Sequence, residues 1–273
     1  MKYRLIAFDM EGTLLDDRKQ IPEDNLTALL KAHRQGAVIV PATGRILSGL
    51  PQEIREISDY AITINGGKVV NVRTGECIYK AEMSLELALR IIDCAQSMGL
   101  IYDCYQDDWG WMSRDMYDSL HLYLTNPAMC AFARSVRTPV YDLRSYLIEK
   151  GAPVQKMQLY FRSVRERLEN MERIQKRFPE TAATSSLGSN IELNIRDANK
   201  GDALAGLCRA LGIDLAETAA FGDGSNDLTM IKTAGLGVAM ANSCPEVLAA
   251  ADIITSDNNS AGVAKAIYEY ILK

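Results

Sequence analysis

The chain has 273 residues, of which 48% are hydrophobic, enough for one large domain or a core with a smaller insertion. Thirty lysines and arginines stand against 35 aspartates and glutamates, a net charge of −5 that argues against nucleic acid and anionic membranes as partners. The six cysteines (77, 94, 104, 130, 208, 244) form no CxxC pair and read as reduced thiols of a soluble, cytoplasmic protein; no signal-type leader follows Met1 and no apolar run approaches a membrane span.

Leu5 to Phe8 is a short apolar run that reads as a buried strand. Asp9 and Glu11 follow, two residues apart, before the turn Gly12-Thr13. Pro22 opens a helix with the stripe Leu26, Leu29, Leu30 and His33, which Gly36 ends. Ala37 to Val40 reads as a second buried strand, followed by Ala42-Thr43-Gly44-Arg45. A further unit leads to Ala61–Ile64, closed by Asn65-Gly66-Gly67. Alternating strands and helices with near-continuous apolar strands predict an α/β fold, a doubly wound and mostly parallel sheet.

Near Met83 the pattern changes. Ser84 is placed to cap a helix carrying Leu85, Ala88, Leu89, Ile92 and Ala95, stopped by Gly99. Leu100 to Tyr105 reads as a strand, Trp109-Gly110-Trp111 as a turn into another, Val154 to Phe161 as a strand and Val164 to Phe178 as an amphipathic helix. Strands near Thr181–Ser186 and Ile191–Ile195 follow. This stretch is expected to be an inserted α+β domain with antiparallel strands: residues 83–189, against a core made of 1–82 and 190–273. His33 and His121 lie on helical patterns and read as structural. Trp109 and Trp111 read as hairpin packing, Asp107 and Asp108 as a solvated turn.

After Lys200 the β/α alternation returns. Gly201 to Leu211 reads as a helix, and Thr218 to Phe221 as a strand ending at Gly222-Asp223-Gly224-Ser225-Asn226-Asp227. Leu236–Ala239 and Asp252–Thr255 read as strands, and Gly262 to Leu272 as the closing helix.

Asp9/Glu11, Thr43 and Asp223/Asp227 each follow a core strand, and a parallel sheet brings such ends to one edge, where α/β sheets place their ligands. Asp9 is a candidate nucleophile toward phosphorus, a step that splits one hard displacement into two. A cation has to neutralise the approach of a phosphate to a carboxylate. Asp9 with Asp223 is a donor set for Mg²⁺, Thr43 and the Gly44 amide are donors to a transferring group, and Lys200 is a fixed positive charge. Asn199 is placed to cap the helix that Lys200 begins, where a lysine opposes the helix dipole.

In this order the motifs resemble the haloacid dehalogenase-like phosphatase superfamily, specifically its Cof-type group with a large α/β cap: Asp9-Met10-Glu11-Gly12-Thr13, Thr43 in Ala42-Thr43-Gly44-Arg45, Lys200 in Asn199-Lys200-Gly201, and Gly222 to Asp227. Gly237 to Asn242 also resembles the group, with Ala241 where glycine is usual. The resemblance implies a Rossmann-like core, a cap that closes over the substrate, and Mg²⁺. It makes Asp9 the nucleophile and a metal ligand, and Glu11 the general acid/base with its main-chain carbonyl on the metal. Asp223 completes the ligands, with Asp227 close behind. Thr43, Gly44, Lys200 and Asn226 hold the phosphate, and Arg45 is a further substrate contact. The implied substrates are small phosphorylated metabolites, sugar phosphates first.

Glu11 departs from the pattern, which has aspartate there. Its side chain reaches about 1.5 Å further, one carbon–carbon bond. Three readings therefore stay open, a phosphatase whose site accommodates glutamate, a slow one, and a non-catalytic binder of phosphorylated metabolites; a phosphomutase or phosphotransferase on the same fold, with a cap that keeps water from the phosphoenzyme, is a separate rival.

Overall fold

In a computed structural model residues 2–185 and 188–272 are described; Met1, Ser186, Leu187 and Lys273 lie outside them, and with them the Ser186 end of the strand expected at Thr181–Ser186. The strands in chain order are β1 (Leu5–Phe8), β2 (Val38–Pro41), β3 (Tyr60–Thr63), β4 (Lys68–Asn71), β5 (Cys77–Lys80), β6 (Ile101–Gln106), β7 (Trp109–Ser113), β8 (Arg137–Val140), β9 (Lys156–Tyr160), β10 (Thr181–Thr184), β11 (Asn190–Ile195), β12 (Thr218–Gly222), β13 (Leu236–Ala239) and β14 (Ile253–Ile254). They fall into two compact units, residues 1–80 with 197–273, and residues 81–196.

The first unit is built on a five-stranded sheet in the order β14-β13-β12-β1-β2, parallel throughout. Every residue of β1 is buried because helices cover both faces. Ile6 and Phe8 pack with Ala28 and Leu29 of the helix Glu23–Arg34 and with Val263 and Ile267 of the closing helix. Leu5 and Ala7 face Ala203, Leu204 and Leu207 of the helix Lys200–Leu211. This is the doubly wound arrangement expected from the apolar runs. The register levels Phe8 with Pro41 and with Phe221, so the residues that follow each strand emerge side by side. Strand order reverses between β1 and β12, the switch point at which such sheets bind ligands.

Several expected elements shift. On the first helix Asn25, Ala28, Leu29 and Ala32 are buried, while Leu26 and Leu30 flank the core and His33 pairs with Asp59 at 3.3 Å. The stripe turns by one residue because Asn25 is tied down, donating to the Leu14 carbonyl and accepting from Ala264 N. β3 lies beside β2 and bridges the main sheet at Ala42 and Ile62; it pairs antiparallel with β4, which pairs with β5. β5 escaped the sequence reading because none of its residues is fully buried, so it carries no apolar signature. The closing helix changes to π geometry at Ile267–Ile271.

The second unit holds a six-stranded sheet in the order β10-β11-β9-β6-β7-β8. It is antiparallel except that β7 and β8 run parallel, which corrects the expectation of antiparallel strands; the helices Arg114–Ser119 and Pro127–Ser135 lie between β7 and β8 in the chain. Met157, Leu159, Ile191 and Leu193 point to one face and pack on helices that include Leu85–Ser97 and Leu143–Lys150. Ser84 caps the former as expected, its hydroxyl accepting from Leu87 N at 3.2 Å. Trp109-Gly110-Trp111 lies within β7. The turn before it is Asp107-Asp108, both at positive φ (54° and 60°), the twist a two-residue hairpin needs. Trp111 stacks on Tyr146 with ring centroids 4.7 Å apart, and Trp109 Nε1 donates to Thr138 Oγ1 at 2.8 Å.

Candidate active site

β1 ends at Phe8, and Asp9 is the first residue beyond it, its amide donating to Phe221 O at 3.0 Å. β12 ends at Gly222, one residue before Asp223. A ligand oxygen from each of Asp9, Asp223 and Asp227 fits within 4.8 Å of the others. Lys200, fully buried, lies among them. Its Nζ donates to Asp9 Oδ1 and to Asp227 Oδ1, each at 2.5 Å. Lys200 is the first residue of its helix, and Asn199 caps that helix by accepting from Asp202 N at 2.9 Å. The cost of a lysine against the helix dipole is outweighed by two carboxylates at hydrogen-bond distance.

Burial pushes the Asp9 carboxyl well above the usual carboxylate range, and the charges of Asp227 and Glu11 add to this against the pull of Lys200. Asp223 is pushed up to about 6, first by burial, with the Thr13 hydroxyl pulling the other way. Burial works against the charge of Lys200, but Asp227 and Asp9 outweigh it and hold the ammonium above its usual range. Three carboxylates share this site with one lysine.

Asp227 has both oxygens engaged: Oδ1 by Lys200, and Oδ2 by the amides of Asp223 (3.0 Å) and Gly224 (2.9 Å). It therefore orients the lysine and the Asp223 loop. Asp223 Oδ1 accepts from Thr13 Oγ1 at 2.8 Å. Gly12, at φ +78°, passes so close that a Cβ there would lie 2.4 Å from Asp223 Oδ2. Only glycine fits this crossing.

Thr43 is buried, and its hydroxyl oxygen accepts from Arg45 N at 3.1 Å, which leaves its own proton free to donate. Asn226 Nδ2 donates to Asn65 Oδ1 at 3.3 Å. Arg45, expected on the substrate, is engaged elsewhere. Its Nε donates to Glu11 Oε1 at 2.7 Å, Nη2 bonds the same oxygen, and Nη1 donates to Gly49 O at 2.8 Å. The extra methylene of Glu11 is taken up in this pair.

Two contributors escaped the sequence reading, which took Asn65-Gly66-Gly67 only as a turn. Ile64, Asn65 and Gly66 have positive φ in succession (54°, 55° and 99°), a run that is strained at a β-branched isoleucine. The run brings Asn65 beside Gly44 and Asn226, and presses Gly66 against the start of the Lys200 helix, where a Cβ would lie 2.2 Å from Asn199 C and O. The turn dipeptide was visible; its tertiary partners were not.

Residues 6–267 match the haloacid dehalogenase-like hydrolases as a family. The chain belongs to that family. Among its relatives, the Bacillus subtilis protein YxeH is 34% identical, with 99% of each chain covered. The B. subtilis 5-amino-6-(5-phospho-D-ribitylamino)uracil phosphatase YcsE is 32% identical, covering 98% of this chain and 96% of its own. The solved structure of a haloacid dehalogenase-like hydrolase from Bacteroides thetaiotaomicron superposes with a TM-score of 0.81 at 29% identity, over 97% of this chain and 98% of that one.

A divalent cation suits the site of this haloacid dehalogenase-like hydrolase. The donors are all hard oxygens, and three carboxylates, Asp9, Asp223 and Asp227, converge where Lys200 supplies a single positive charge. No helix among the described residues is long and apolar enough to cross a membrane.

Proposed function

We propose that this protein is a Mg²⁺-dependent phosphatase that hydrolyses small phosphomonoesters, sugar phosphates first among them, through an aspartyl-phosphate on Asp9. The observation that carries the reading is the buried Lys200 bridging Asp9 and Asp227, with Asp223 in the same cluster, at the switch point of the sheet. Asp9, Asp223 and the main-chain carbonyl of Glu11 would hold the metal, with Asp227 behind them. Bound there, Mg²⁺ supplies the positive charge that lets a dianionic phosphate approach a carboxylate.

In the first step an Asp9 carboxylate oxygen bonds to phosphorus as the ester P–O bond breaks, and Glu11 gives its proton to the departing alkoxide. In the second, Glu11 takes a proton from water, the water oxygen bonds to phosphorus, and the Asp9 P–O bond breaks to release inorganic phosphate. Thr43, the Gly44 amide, Asn226 and Lys200 hold the equatorial oxygens, where charge is greatest in transit. Arg45 holds the Glu11 carboxylate and stays a proposed further contact to the substrate. The inserted unit is the cap that selects the substrate. The relative YcsE, named for a phosphate ester of a ribityl compound, supports a small phosphorylated metabolite as substrate. Six cysteines without disulfides support a cytoplasmic location.

A second reading, a weakly active or non-catalytic binder of phosphorylated metabolites, is favoured by one observation, the engagement of Glu11 by Arg45. Phosphate release from a panel of phosphate esters, with and without Mg²⁺, separates the two. Mg²⁺-dependent release supports the phosphatase; binding of esters without any release sinks it. Conversion of a hexose 1-phosphate to the 6-phosphate would make the protein a mutase.

A further inference from the structure

The segment Met240–Cys244, which follows β13, reaches both arms of the carboxylate cluster. Met240 N and Ser243 Oγ each donate to Gly222 O at 3.2 Å, and Cys244 N donates to Asp223 O at 2.9 Å. These bonds hold the Asp223 loop. Between them Asn242 turns the other way, and its Nδ2 donates to the Gly12 carbonyl at 2.8 Å. Asn242 Oδ1 accepts from Asn258 N at 3.1 Å, and Asn258 Nδ2 donates to Leu15 O at 3.0 Å. Asn25 Nδ2 takes Leu14 O at 3.2 Å. Three carbonyls of the loop after Asp9 are thus held by asparagine carboxamides, one from the following helix and two from near the end of the chain.

We propose that Asn242 is a positioning residue for the reaction: through the Gly12 carbonyl it sets the plane of the chain next to Glu11 and keeps that residue in register with Asp223. The inference rests on the phosphatase reading and names a residue to which that reading gives no part. Its physical basis is the conformational freedom of Gly12. A glycine at φ +78° has broad backbone latitude, so its carbonyl needs a partner to stay put. A carboxamide is suited to this because it donates and accepts at once, here to Gly12 O and from Asn258 N. A displacement of about 1 Å at a reacting group costs on the order of 10²-fold in rate.

Asn242 is exposed, so its variants are expected to fold. N242D keeps an acceptor for Asn258 N but turns a carboxylate oxygen toward the Gly12 carbonyl in place of the donor; N242A loses both bonds without adding charge. Two measurements test the proposal: kcat and KM on the fastest phosphate ester of the panel, and amide hydrogen exchange of residues 10–15 in metal-free protein. In both variants kcat should fall at least about tenfold with KM within about twofold, and exchange in that segment should quicken. A wild-type kcat in either variant, an unchanged exchange rate, or a raised KM with kcat intact overturns the proposal. Should the unmodified protein release no phosphate at all, the phosphatase reading fails by itself, and the exchange rates still decide what Asn242 does to the loop.

Discussion

Replacing Lys200 by methionine removes the positive charge that bridges the carboxylate cluster while keeping much of the side chain's volume. Lys200 is fully buried, and its two carboxylate partners lie at 2.5 Å, one of them, Asp227, equally buried. Breaking a buried pair from one side costs about 3–5 kcal/mol, because the remaining charge stays buried without its partner. Two carboxylates are stranded here, which places the expected loss at the upper end of that range. For a chain of this size that upper end is a fall of about 10–20 °C in melting temperature.

The sign with pH is also defined. Asp9 is already held above its unfolded value, and losing Lys200 raises it further. A raised carboxyl contributes stability below its unfolded pKa and loses that contribution as pH rises through the folded value. The deficit of Lys200→Met should therefore be smallest near pH 5 and deepen toward pH 8. Thermal melts of both proteins in a chelator, at intervals across that range, measure it. A deficit of under about 1 kcal/mol at pH 7, or one that deepens as pH falls, refutes the electrostatic account of the cluster.

Asp9→Asn should reduce phosphate release to background, since an amide does not form the phosphoenzyme; residual turnover near the native rate would mean another nucleophile. Glu11→Asp withdraws the carboxylate from Arg45 by about 1.5 Å and should lower kcat by about 10- to 100-fold, whereas a tenfold gain would show that the native glutamate is a handicap. Metal-free protein should lose stability as pH rises through about 6, because Asp223 is raised to about 6 by burial and its stabilising contribution is present only below that range. Saturating Mg²⁺ should flatten the profile, and calorimetry with and without the ion reads this directly. Gly66→Ala places a Cβ 2.2 Å from Asn199 C and O at φ +99° and should cost more than about 2 kcal/mol; a melting temperature within a degree of the native one would contradict the packing.

Asp9, Thr43, Lys200 and Asp223 were legible because each stands at the end or start of a regular element whose pattern is local. An apolar run followed by a carboxylate is visible in eight residues, and a parallel sheet then has to bring such ends together. The same logic made the α/β core readable and the two outermost strands of its antiparallel extension unreadable: β4 and β5 carry no continuous apolar run, so nothing local distinguishes them. The helices Arg114–Ser119 and Pro127–Ser135 were missed for a similar reason, being short and largely exposed.

What the sequence by itself determined is the set of candidate groups and the sheet edge to which the strands bring them. What only the tertiary structure decided is which group holds which. Asp227 faces Lys200 and two amides, Arg45 takes Glu11, and Asn242 takes Gly12, across separations of 27, 34 and 230 residues. Hydrogen bonds between polar side chains have no periodicity along the chain. Hydrophobic burial places the strands; the partner of each polar group follows from where their ends come to lie.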